Sequence, residues 1–84
     1  MPHNFVVTLD GQAIPVGELA MKLGLQAIKL SHIPNTPKLL FNTTLVGPGS
    51  SQTIYFVAPK PGKYTYVCTV PGHFYVMQGT LTVQ

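Results

Sequence analysis

Residues 5–9, Phe-Val-Val-Thr-Leu, are β-branched and aromatic and stop at Asp10-Gly11, a turn signal. That pattern predicts a short strand. Between residues 16 and 30 the character changes. Leu19, Leu23, Gln26, Ala27 and Leu30 recur at spacings of three and four among good helix formers. One or two helical turns are predicted there, broken at Gly24. Residues 31–37 hold two prolines, an asparagine and a histidine, and read as loop. Strands are predicted at 39–46, 53–57, 64–68 and 79–83, separated by Gly47-Pro48-Gly49-Ser50, by Pro59-Lys60-Pro61-Gly62 and by a Pro71-Gly72 turn. Five short strands with little helix predict an all-β, antiparallel sandwich or barrel.

A chain of 84 residues allows one domain, spanning 1–84, with a small core. A fold this short usually gains stability from disulfides, a metal or a partner. The single cysteine, Cys68, excludes an internal disulfide, a Cys₄ zinc site, a Cys-x-x-Cys redox pair and c-type haem attachment. Charged residues make up 8% and hydrophobic ones 45%, an apolar balance for so short a chain. The five lysines are scattered, arginine is absent and the formal charge is +3. Nucleic-acid binding would call for a clustered basic face with arginine forks, so it is not expected. No run approaches the roughly 20 apolar residues of a membrane-spanning helix. The chain opens Met-Pro-His and enters a strand without a signal peptide. The expectation is a mature or trimmed product, or a chain lacking an N-terminal part.

The candidate chemistry lies in Tyr66-Val67-Cys68-Thr69-Val70-Pro71-Gly72-His73-Phe74-Tyr75-Val76-Met77. Alone, Cys68 would read as a buried hydrophobe. With His73 and Met77 on one loop it becomes part of a soft thiolate–imidazole–thioether set. Such a set suits copper, and a trigonal His₂Cys site with a weak axial methionine is the blue-copper arrangement. His3, 65 positions before Cys68, is the leading candidate for the second histidine. A Cys–His nucleophile pair would need an orienting Asn or Asp and an oxyanion hole, and a methionine adds nothing to it. Zinc is disfavoured because thioether is a poor ligand for it. His32 reads as an exposed loop residue, Met1 as a surface contact, Met21 as helix core, and Tyr64 and Tyr66 as core packing.

Tyr64-x-Tyr66-Val67-Cys68-Thr69-Val70-Pro71-Gly72-His73, followed by Met77-Gln78-Gly79-Thr80-Leu81, resembles the ligand loop of the azurin and auracyanin branch of the cupredoxins. Met1-Pro2-His3-Asn4-Phe5-Val6-Val7 is similar to the family segment carrying its first histidine. Lys38-Leu39-Leu40-Phe41-Asn42-Thr43-Thr44-Leu45-Val46-Gly47 is similar to the azurin strand after its helical flap. The resemblance covers essentially the whole chain.

It implies a cupredoxin-like Greek-key β-sandwich with a short helical insertion, its N-terminal strands missing. It implies His3, Cys68 and His73 as equatorial copper ligands, with Met77 axial. Asn4 would hydrogen-bond near the Cys68 sulfur and tie the two ligand segments together. Amides after Cys68 would donate weakly to the same sulfur. The implied function is one-electron transfer between redox protein partners by an electron carrier, not an enzyme. Donor and acceptor would dock near His73, Val70, Pro71 and Phe74. The implied place is periplasmic or extracytoplasmic, with any membrane tether in a segment outside this chain. Family members carry strands before the first copper histidine, so a further segment or a second copy is expected to complete the sandwich. The rival reading is a copper-binding accessory domain of a larger oxidoreductase or membrane complex. A β-sandwich whose site holds no metal is the other.

Overall fold

The fold was obtained as a computed structural model and describes residues 2–84. Met1 therefore lies outside the described residues. Four strands, β1 (Val6–Leu9), β2 (Leu39–Asn42), β3 (Gly62–Val67) and β4 (Gln78–Val83), form one antiparallel sheet in the order β2-β1-β3-β4. Helix α1 (Ala13–Met21) and a 3₁₀ turn (Gly24–Gln26) lie between β1 and β2.

The expected strand at 53–57 does not form. A strand needs a neighbour for its backbone groups, and this segment pairs with none among the described residues. Tyr55 and Val57 are 94% and 88% exposed. Phe56 stacks on Phe41 of β2 at a centroid distance of 4.4 Å.

Alternation along the strands sorts side chains onto two faces. Val6 pairs with Val67, and Thr8 with Thr65, so these four share one face. Val6 and Val67 belong there to a core cluster with Ala13, Val16 and Phe74. The buried helix positions are Ala13, Val16, Gly17 and Ala20, a 3.6-period stripe. The helix therefore starts three residues before the predicted position and buries a different face. Met21, expected in the core, is exposed, because it lies one residue beyond that stripe. Pro15 is tolerated since it falls in the first turn, where amides have no intrahelical acceptor. Gly24, at φ +61°, breaks the helical path as expected.

Gly17 lets the helix approach closely. A Cβ built there would overlap the Phe74 side chain at Cγ and Cδ2. On the other sheet face Tyr66 lies across its strand partner Gly79, where a Cβ would meet the phenol ring. Phe5 stacks on Tyr66 at 5.4 Å. Tyr64 is buried, and its hydroxyl donates to the Lys60 carbonyl at 2.5 Å. Both tyrosines pack, as expected.

Candidate metal centre

β2 was expected to run on to residue 46 but its ladder stops at Asn42. Thr43 diverts the pairing, because its hydroxyl accepts from the Phe5 amide at 2.9 Å and donates to the Thr44 carbonyl at 2.8 Å. Pairing resumes at one bridge. The His3 amide donates to the Val46 carbonyl at 2.9 Å, and the Val46 amide returns a bond to His3 at 2.7 Å. This bridge holds the His3 backbone at the end of the sheet.

Cys68 leaves β3 at the same end. Its amide donates to the Met77 carbonyl at 3.0 Å, one step past the last pair of the β3–β4 ladder. Between these two residues the chain turns twice. Val70-Pro71-Gly72-His73 closes with the His73 amide on the Val70 carbonyl at 2.9 Å, and Gly72 has φ +85°. Proline followed by a positive-φ glycine is the type II pattern. The Met77 amide then donates to the His73 carbonyl at 2.8 Å, one helical turn on.

These elements bring three donors together. Nδ1 of His3 lies 3.8 Å from the Cys68 sulfur, and Nδ1 of His73 lies 3.6 Å from it. All three ligand atoms lie within 4.8 Å of one another. The two imidazole rings are 5.0 Å apart by centroid and tilted by 36°. Cys68 is only 4% exposed, whereas His3 is exposed and His73 half-buried.

Donor chemistry and spacing both fit a metal ion. With zinc bond lengths as a guide, about 2.0 Å to nitrogen and 2.3 Å to sulfur, a trigonal centre sets each N···S separation at roughly 3.7 Å. The two observed separations bracket that value. A thiol carries a single proton, so as a donor the sulfur can serve only one of the two rings facing it. A shared cation satisfies all three lone pairs.

Met77 borders the same end of the sheet. It lines a solvent-open groove of about 300 Å³ with Cys68, Asn4, Phe5 and Tyr66, and its side chain is 39% exposed.

Asn4 is buried and works beside the sulfur rather than on it. Its Nδ2 donates to the Thr69 hydroxyl at 2.8 Å and to the Ser31 carbonyl at 2.9 Å. Its Oδ1 accepts from the Thr69 amide at 2.8 Å. The expected donation from that amide to the Cys68 sulfur is thus replaced by a bond to Asn4. The Thr69 hydroxyl in turn donates to the His32 carbonyl at 2.6 Å. Thr69 and Ser31 were not singled out from the sequence, and His32 was read only as a loop residue. The available signal was a threonine within the apolar run Val67-Cys68-Thr69-Val70, since a buried hydroxyl needs partners. His32, expected to be exposed, is half-buried, because its backbone is drawn in by Thr69.

The docking face expected near His73, Val70, Pro71 and Phe74 is corrected at two positions. Phe74 is wholly buried against the helix and Val70 nearly so. The exposed residues of the turn are Pro71, Gly72, Tyr75 and Val76.

Comparison with known proteins agrees with this geometry. The description "copper binding proteins, plastocyanin/azurin family" matches residues 1–84. Auracyanin-B of Chloroflexus aurantiacus is 47% identical over 83 residues, covering 96% of this chain and 35% of that protein. Azurin of Pseudomonas fluorescens biotype C is 30% identical, covering 100% of this chain and 66% of that protein. The crystal structure of dithionite-reduced auracyanin from Roseiflexus castenholzii superposes with a TM-score of 0.86 at 35% identity, over 100% of this chain and 67% of that one. The chain thus spans from about a third to two thirds of the length of these relatives, and it shares their cupredoxin fold. A trio of copper-type donors at one end of a cupredoxin sheet, with a family match along its whole length, makes this chain a member of the plastocyanin/azurin family of copper-binding proteins.

Proposed function

We propose that residues 1–84 act as a single type 1 copper electron-transfer domain, an electron carrier rather than an enzyme. The observation that carries this reading is the convergence of the His3, His73 and Cys68 donor atoms within 4.8 Å on a sheet that holds all three segments. His3, Cys68 and His73 would hold the ion, and Met77, from the neighbouring groove, would offer a weaker thioether donor. Copper bound there supplies one-electron redox chemistry. The chain keeps the donors fixed through the His3–Val46 bridge, the Cys68–Met77 bond and the Asn4–Thr69 clamp, so little rearrangement accompanies a change of charge.

Redox partners meet the molecule where His73 is half-exposed, flanked by exposed Pro71 and Gly72, with Tyr75 and Val76 on the same turn. The low charge of the chain suits an apolar contact of this kind. An extracytoplasmic location accompanies the reading. Among the described residues no helix is long and apolar enough to cross a membrane.

Addition of Cu(II) to the metal-free protein tests the assignment. An intense visible band from a Cu(II)–thiolate bond is expected, bleached by a one-electron reductant. A colourless complex, or copper bound without reversible reduction, would overturn it.

A further inference from the structure

We propose that Ser31 and His32 form a backbone latch that positions His3 and Cys68, two ligands from opposite ends of the chain. The inference rests on the copper reading for its purpose, but its structural basis is independent of the metal.

Residues 26–30 make a last helical turn, with the Leu30 amide on the Gln26 carbonyl at 3.0 Å. That turn closes with two characteristic bonds. The Ser31 amide donates to the Ile28 carbonyl at 3.0 Å, and the His32 amide reaches back to the Ala27 carbonyl at 2.8 Å. This is the Schellman pattern, in which the first residue past the helix is left-handed and usually glycine. Here it is Ser31 at φ +55°, followed by His32 at φ +58°. Two successive non-glycine residues in this region are sterically disfavoured. Something outside the turn must hold them.

The holding contacts lead to the metal centre. The Ser31 carbonyl accepts from Asn4 Nδ2, and the His32 carbonyl accepts from the Thr69 hydroxyl. Asn4 follows His3 and Thr69 follows Cys68. Asn4 and Thr69 also bond each other twice. Two adjacent carbonyls of one turn therefore grip the immediate neighbours of two ligands that are 65 residues apart. The two carbonyls reach Asn4 and Thr69 along this left-handed path, and β-branched residues adopt it poorly. The His32 side chain is not the agent, since its Nδ1 is buried with no hydrogen-bond partner among the described residues. Ser31 and His32 are thus positioning residues that act through their backbone.

The test compares Ser31→Gly/His32→Gly, which keeps the left-handed path, with Ser31→Val/His32→Val, which opposes it. Amide hydrogen exchange is read first, on the metal-free protein. In the valine pair the Thr69 amide, bonded to Asn4, should exchange roughly tenfold faster while β3 amides keep their protection. In the glycine pair it should stay near the parent rate. The copper-loaded proteins are read next. The valine pair should shift the visible band and the reduction potential, and the glycine pair should match the parent in both. A folded valine pair with parental Thr69 exchange, or with faster Thr69 exchange but parental spectrum and potential, would overturn the latch. If the valine pair does not fold, Thr69→Val and Thr69→Ser decide. Serine restores the hydroxyl bond to His32, so it should recover the parental spectrum and potential that valine loses, and identical behaviour of the two refutes the proposal. A parent protein that forms no blue complex overturns the copper reading instead, and the exchange arm still accepts or rejects the latch.

Discussion

The amide of Cys68 and the carbonyl of Met77 are hydrogen-bonded at 3.0 Å, so the loop carrying His73 is closed at its base by the strand ladder itself. Both residues border one groove. The bond fixes where the Met77 backbone sits relative to the sulfur, whatever side chain position 77 carries.

Met77→Leu should therefore retain copper and raise the reduction potential. Losing a weak donor destabilises Cu(II) more than Cu(I), and a more apolar surrounding favours the lower charge. A tenfold relative weakening of Cu(II) binding corresponds to about 59 mV for one electron. Voltammetry should show a rise of that order, and a lowered potential would contradict the axial role.

Cys68→Ser should abolish the visible band. A hydroxyl has nearly the same shape but cannot form the Cu(II)–thiolate bond that gives the colour. The His3 and His73 donors remain, so weaker, colourless copper binding is expected by titration. A serine protein that stayed blue would remove Cys68 from the ligand set.

Gly17→Ala should destabilise the metal-free protein by about 1–3 kcal/mol, the usual cost of overpacking a filled core. The added methyl overlaps the Phe74 side chain, which belongs to the core cluster. Urea unfolding measures the loss. An unchanged midpoint would mean that helix and ring do not meet as described.

Asn4→Ala should be destabilising as well, through unpaired groups rather than volume. It strips the Thr69 amide and the Ser31 carbonyl of their partner, at about 1–3 kcal/mol for each buried group left unsatisfied. The same unfolding experiment applies, and a loss well under 1 kcal/mol would show that water replaces the side chain freely.

Copper should raise the stability of the folded chain. Binding to the native state alone contributes about 2.7 kcal/mol at a free metal concentration one hundred times the dissociation constant. Thermal unfolding with and without Cu(I) checks this, and His73→Ala should show a smaller rise.

The ligand loop was legible because its information is local. Cys68, His73 and Met77 share ten residues, and the Pro71-Gly72 pair between them dictates its own turn. His3 was a candidate because the site needed a second histidine, and the resemblance strengthened the choice, but nothing in composition says that residue 3 pairs with Val46. The helix was found but its buried face was missed. Leu19 and Leu23 outweighed Gly17 in the apolar pattern, yet the small residue is what lets Phe74 approach. Residues 53–57 have strand composition and no strand, because pairing depends on a neighbour rather than on propensity. Phe74 was assigned to the surface by its place beside a ligand, whereas the turn rotates it into the core. Ser31 and His32 carried no signal, as polar side chains give no notice of what their carbonyls hold.

Phe74 follows His73 directly, so one peptide bond joins the residue that anchors the helix to a donor of the proposed metal centre. Core cohesion and ligand delivery are in consequence one mechanical event. Loosening the helix from the sheet frees Phe74, and with it withdraws His73 from the sulfur. On the copper reading, loss of the ion is expected to accompany melting of the core, so the visible band should report on whether the helix is seated.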